Sequence, residues 1–184
     1  EMRDTFFPTL NPSAPNALSA EEKDLVSKLH HSFSVSDKLQ RHIATLLSHG
    51  CMYNVVNENL LFHASIPLNE DGTLKSVDVN GESYRGRDLM HHIGLVMRSA
   101  FNRDTPADER RFARDYFWYL WCGQDSPLFD KSCMTTFERY FLVDKSTYVE
   151  EKGHYYRLRN QPEVCDRILD AFGVTGQRRH IING

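Results

Sequence analysis

No apolar run in this sequence approaches the ~18 to 20 residues that a membrane-spanning helix requires, and no secretory signal opens it. Cysteine is scarce as well. Cys51, Cys122, Cys133 and Cys165 are scattered, with no C-x-x-C pair, which argues against a disulfide framework or a zinc knot. Such spacing fits reduced thiols in a cytoplasmic protein, and it predicts them buried or semi-buried. Neither sign of charge is in surplus: the net charge is -3, so no broad basic field exists for nucleic acid or a membrane surface. A phosphorylated small molecule would need only a local positive cluster. G-x-G-x-x-G and Walker patterns, internal repeats, coiled-coil heptads and low-complexity tracts are missing too.

The residues present are enough for one ordinary soluble domain, with a length of 184, 40% hydrophobic and 26% charged. The opening Glu1-Met2-Arg3-Asp4 reads as an internal start. Residues 5–15, with three prolines and two phenylalanines, predict an extended segment that docks its aromatics on a neighbour. Ser19-Ala20-Glu21-Glu22 forms a capping box, so a helix begins at Ala20, with Leu25, Leu29 and Phe33 striping one face. Ser36 caps a second segment, striped by Leu39, Ile43, Leu46 and Leu47, until Gly50 supplies a left-handed stop. His30, His31, His42 and His49 in these segments read as solvated side chains without chemistry.

Two hairpins come next. The first pairs residues 52–56 with 60–64 across Asn57-Glu58-Asn59, and the second pairs 76–79 with 82–84 across Asn80-Gly81, the residues best suited to positive φ. Residues 87–101 then have helical spacing, and their adjacent His91 and His92 cannot face one metal. Thr105-Pro106 predicts a cap followed by proline at the first helical position, in a helix ending at Gly123. Its end, residues 116–121, is apolar all round and is expected to be covered. Residues 134–142 read as a short helix carrying Arg139, and 148–159 as a basic, solvated loop with Lys152, His154, Arg157 and Arg159. Pro162 opens a last helix ended by Gly173, and residues 178–183 form a terminal strand. The fold class is α+β: four or five helices, two β-hairpins and a terminal strand, with sheet pieces belonging to a larger layered fold.

The residue best placed for chemistry is His63. Leu60, Leu61 and Phe62 read as a buried strand that Ala64, Ser65 and Pro67 end, which sets the imidazole where a rigid backbone meets a loop. Taken alone, one histidine beside an apolar run is more often a hydrogen-bonded side chain than a ligand.

Four separated motifs give His63 more weight. NENLLFHASIPL, WYLWCGQDSPLF, MTTFERYF and the final HIING, in that order, resemble the Firmicutes-type (class III) fructose-1,6-bisphosphatases of the calcineurin-like metallophosphoesterases. The resemblance runs from about Thr5 to Gly184. It implies hydrolysis of fructose-1,6-bisphosphate to fructose 6-phosphate and phosphate, a step of gluconeogenesis, at a dinuclear centre for which manganese is the expected metal. It implies that His63 is a metal ligand and that this chain is an internal fragment of a metallophosphoesterase sandwich. Residues 50–84 and 178–184 would then belong to the metal-site sheet domain, and 85–177 to a helical insertion. The family's D-x-H, G-D-x-x-D-R and G-N-H-E motifs do not occur here, and its next metal-binding histidine sits directly after a glycine in an I-N-G-H-V-P context. Where the superfamily commonly places glycine right after the histidine, this chain has Ala64 and Ser65.

Arg139, Arg157 and Arg159 are candidates for the second, non-reacting phosphate of the sugar, since guanidinium suits phosphate oxygens. On this reading the isolated fragment binds no manganese by itself and is inactive. Two other readings stand beside it: a non-catalytic helical binding or oligomerisation module, and another metallophosphoesterase. Sheet edges of this kind can pair between copies, so a homo-oligomer is a further expectation.

Overall fold

The computed structural model describes all of residues 1–184. It is α+β, with seven α-helices, one 3-10 turn and five strands. The chain forms two compact units. One comprises Glu1–Gly50 with Thr136–Tyr148, and the other Cys51–Thr135 with Val149–Gly184.

In the first unit, α1 (Ala20–Val35) starts at the capping box read from sequence. The Glu22 amide donates to Ser19 Oγ at 3.2 Å and the Ser19 amide donates to Glu22 Oε2 at 2.7 Å, satisfying two end groups at once. α2 (Asp37–His49) starts at Ser36, whose hydroxyl accepts from the Leu39 amide. Its end differs from expectation. Gly50 is extended at φ -74°, not left-handed, and closes the helix through its amide to the Leu46 carbonyl. Neither helix buries a residue, so the stripe of Leu25, Leu29 and Phe33 is exposed. α5 (Thr136–Phe141) lies beside the N-terminal residues. The Arg3 amide donates to Phe141 O at 2.7 Å, and the Phe7 ring lies 6.4 Å from that of Phe141, but Phe7 and Phe6 are both exposed, so the expected docking of the aromatics is at most one tilted ring contact.

The second unit carries the core. β1 (Tyr53–Val56) and β2 (Asn59–Phe62) form the first hairpin, and its loop is two residues, Asn57 and Glu58, both at positive φ. Asn59, expected in the turn, is in the strand. Parallel to β2 runs β5 (His180–Asn183), in the order β1-β2-β5. β3 (Val77–Val79) and β4 (Glu82–Tyr84) form a separate hairpin across Asn80-Gly81 at φ 58° and 83°. Alternation sends Leu60 and Phe62 of β2, and Val77 and Val79 of β3, into the core. There they meet Leu89, Met90 and Ile93 of α3 (Gly86–Ser99), and Val164, Ile168 and Leu169 of α7 (Pro162–Ala171).

α4 (Ala107–Cys122) packs on α3 through Ala113, Tyr116 and Leu120. Pro106 is itself the residue before the helix, with no side-chain cap, so Thr105 does not play the expected part. Because consecutive aromatics point in every direction around a helix, one contact face cannot cover them all: Trp118 is 70% and Trp121 66% exposed. Two further departures stand. The stretch read as a solvated loop contains α6 (His154–Leu158), which buries Tyr155 and Leu158. All four cysteines are free, yet Cys51 and Cys133 are exposed rather than buried. No helix is long and apolar enough to cross a membrane.

Where the chain leaves this unit at Thr135 and returns at Val149, Glu150 clamps the two crossings. Its carboxylate accepts from Lys131 Nζ at 2.9 Å and from the Thr135 amide at 3.0 Å. The Lys131 ammonium, then Thr135, holds the Glu150 carboxyl down at about 2. A carboxyl lowered on folding stabilises fully above its unfolded pKa, and that contribution is lost as pH falls through the folded one. Urea unfolding of the protein and its Glu150→Gln variant is therefore expected to show a deficit in the variant that is constant above about pH 5 and fades toward pH 2. A deficit independent of pH would assign the clamp to shape rather than charge.

Candidate functional site around His63

β2 ends at Phe62, and the next residue, His63, is exposed, with no hydrogen bond to its imidazole. The parallel register sets Phe62 opposite Asn183, which brings Gly184 beside His63. The Gly184 amide donates to the His63 carbonyl at 2.8 Å. A Cβ placed on Gly184 would lie 3.9 Å from His63 Nδ1. The end of one strand and the imidazole beyond its neighbour thus share one spot at the sheet's rim.

Two groups that carry no signal in the sequence hold this spot in place. Asn183 Nδ2 donates to the Ala64 carbonyl at 3.4 Å, and Asn183 Oδ1 accepts from the Tyr155 hydroxyl at 3.2 Å. The Tyr155 ring packs edge-on against Phe62 at 5.7 Å, so α6 braces the ends of both β2 and β5. Burial pushes the Tyr155 phenol up to about 12, which keeps it a neutral donor.

The second support is polar and buried. Ser65, two residues past His63, donates from its hydroxyl to Asp130 Oδ2, and its amide donates to the Pro127 carbonyl at 3.1 Å. Asp130 is 1% exposed and has positive φ, and burial pushes its carboxyl above the usual range, partly opposed by the Ser65 bond. Gly153 leads into α6 directly against this carboxylate. A Cβ there would fall 2.1 Å from Asp130 Oδ2, so only glycine fits. No single residue signals this arrangement. Asp130 and Gly153 each look like ordinary loop residues in sequence, and their meeting depends on the pairing of Lys131 with Lys152.

The three arginines expected to bind phosphate are divided between the two units. Arg157 lies on α6 and Arg159 comes just after it, both exposed, with the Arg159 guanidinium 6.0 Å from the Tyr156 ring. Arg139 belongs to the other unit, where it donates to the Tyr148 carbonyl at 2.9 Å and covers the Tyr148 ring. His92 stacks on Tyr84 at 4.1 Å, a packing role. No group of three or more His, Cys, Asp or Glu side chains converges as a metal site.

Known proteins resemble this chain along its whole length. The family model described as Firmicute fructose-1,6-bisphosphatase matches residues 1–184. Proteins named fructose-1,6-bisphosphatase class 3 are similar throughout: 56% identical over 184 residues in Phocaeicola vulgatus, 54% over 183 in Bacteroides fragilis and 46% over 184 in Listeria innocua. Each match covers 100% of this chain and 28% of the relative. No solved structure matches.

The contact of Gly153 with Asp130 gives a direct check. Gly153→Ala is expected to destabilise by about 1 to 3 kcal/mol, as overpacking does in a close-packed interior. Chemical denaturation reads it, and wild-type stability in the variant would show that the Asp130 carboxylate does not lie against Gly153.

Proposed function

Since the chain belongs to the Firmicute fructose-1,6-bisphosphatase family, we propose that it is part of a metal-dependent phosphatase acting on fructose-1,6-bisphosphate. It would contribute the rim of the sheet domain where metal is held. The observation that carries the reading is the apposition of His63 and Gly184 produced by the β2–β5 register.

Phosphate monoesters hydrolyse extremely slowly in water, so catalysis requires neutralised phosphoryl oxygens and a hydroxide at neutral pH. Divalent ions, manganese in this reading, supply both. His63 fits as a ligand: its ring is exposed and bonded to nothing, and its backbone is fixed on both sides by Gly184 and by the Ser65 contacts. A ligand that is already positioned loses little freedom on binding. Whatever residue comes after Gly184 in a longer protein would start next to the same ring, and the Asn183 bonds to Ala64 and Tyr155 would hold it there. Arg157 and Arg159, on and just after the helix that braces this rim, suit the non-reacting phosphate, because a guanidinium offers paired donors to phosphate oxygens.

A second reading, an association module, is favoured by one observation: Phe101, Trp118 and Trp121 form an exposed apolar face.

One imidazole cannot hold two metals, so the 184-residue chain alone is expected to show no manganese-dependent release of phosphate from fructose-1,6-bisphosphate. In a full-length relative, alanine at the position of His63 is expected to lower metal content and turnover together. The loss should exceed the roughly 10- to 100-fold that accompanies removal of a residue supporting a ligand. Turnover by the short chain, or full metal content in the variant, would sink the reading.

A further inference from the structure

Outside the His63 rim, Arg85, Arg87 and Arg167 line one cleft of about 410 Å³ in the unit that carries the core, and Arg87 also lines a neighbouring cleft beside Tyr53 and Gly173. Arg85 precedes α3, Arg87 is in its first turn, and Arg167 comes from α7. None of the three is in an ion pair. The ion pairs of the structure engage Lys28, Lys75, Arg111, Lys131 and Arg179. Asp88 lines the same cleft without closing on any of them. Asp71 is taken by the amide and hydroxyl of Thr73 at 2.9 and 2.6 Å, bonds that hold its carboxyl below the usual range with a smaller contribution from the charge of Arg167.

The arginines are partly held in place and partly free. Arg167 Nη1 donates to the Gly72 carbonyl at 2.6 Å, and Arg87 Nε donates to the Tyr53 hydroxyl at 3.1 Å. Each anchor uses one edge of a planar fork and leaves other N–H groups for a ligand. The Arg85 side chain has no partner at all. Like charges gathered in one cleft repel one another, and an anion bound among them turns that repulsion into attraction. Guanidinium forks match the oxygens of phosphate better than they match a simple halide.

We propose that this cleft binds the phosphate group of a phosphorylated small molecule, held by Arg85, Arg87 and Arg167. Its volume suits a ligand of sugar-phosphate size. Neither His63 nor Gly184 lines it, so the site is separate from the metal rim and does not rest on the phosphatase reading.

The test is titration of the ¹⁵N-labelled 184-residue chain with inorganic phosphate and, separately, with glucose 6-phosphate, at ionic strength held constant with chloride. Saturable amide shifts are expected at residues 72–74, 85–88 and 167. Arg85→Ala should leave the rest of the spectrum unchanged, because the Arg85 side chain makes no hydrogen bond or ion pair and its carbonyl bond to the Leu89 amide is retained, and should weaken binding about tenfold. Arg85→Lys should weaken it less. Tighter binding of glucose 6-phosphate than of inorganic phosphate is expected, and tighter binding of the free ion would overturn the assignment to a phosphorylated small molecule. Shifts that fail to saturate, that chloride alone reproduces, or that Arg85→Ala leaves unaltered would overturn the proposal.

Discussion

The parallel pairing of β2 with β5 is the interaction on which the rim of this molecule depends. It joins residues about 120 apart in sequence, so closing it carries the entropic cost of a long loop. A parallel pair cannot be closed by a tight turn and requires a long crossover, here the whole chain from β3 through α7. The strand is short, and packing has to secure it. Leu60 is fully buried, and the Tyr155 ring on Phe62 with the Tyr155 hydroxyl on Asn183 ties both strand ends to one helix. Removing a side chain such as Leu60 would cost about 2 to 5 kcal/mol. That exceeds the net worth of any one hydrogen bond in the rim, about 0.5 to 1.5 kcal/mol. Apolar packing therefore sets the position of β2, and the polar bonds set its direction at the end.

Immediately beyond the rim, the polar interior around Asp130 works the other way. A buried carboxylate is costly unless its lone pairs are engaged. Ser65 engages one oxygen, and Gly153 lets the α6 approach pass without a Cβ in the way. The segment after His63 is thereby fixed by contacts that have no apolar alternative of the same shape. Two different physical means, an apolar strand before the histidine and a satisfied polar contact after it, hold one exposed imidazole between rigid neighbours.

Local signals in the sequence read well. Ser19 with Glu22, Ser36, the Asn80-Gly81 turn and Pro162 at the start of α7 all occupy the places their chemistry suggests, because each acts on residues within one turn of itself. Signals that depend on distant partners do not. α6 lacks a side-chain cap, and its Tyr155 finds its reason only in Phe62 and Asn183. The exposed Trp118 and Trp121 arise because α3 covers one face of α4, which a periodicity that is apolar all round cannot reveal. His63 is legible as a strand-end residue, but its neighbour Gly184 emerges only from the β2–β5 register. The basic stretch near Arg157 stands out in sequence because its charges lie close together along the chain. Arg85, Arg87 and Arg167 line one cleft from the start of α3 and from α7 and carry no such signature.

Everything at this rim follows from β5 lying parallel to β2 in the register that sets Asn183 opposite Phe62 and Gly184 beside the His63 ring. Nuclear Overhauser contacts in the labelled chain test it most directly. Cross-strand contacts are predicted between the Leu60 and Ile181 backbones, and between the Gly184 amide and His63, with the Gly184 amide slow to exchange. Residues 180–184 that show only sequential contacts and exchange at the rate of an unfolded chain would contradict it.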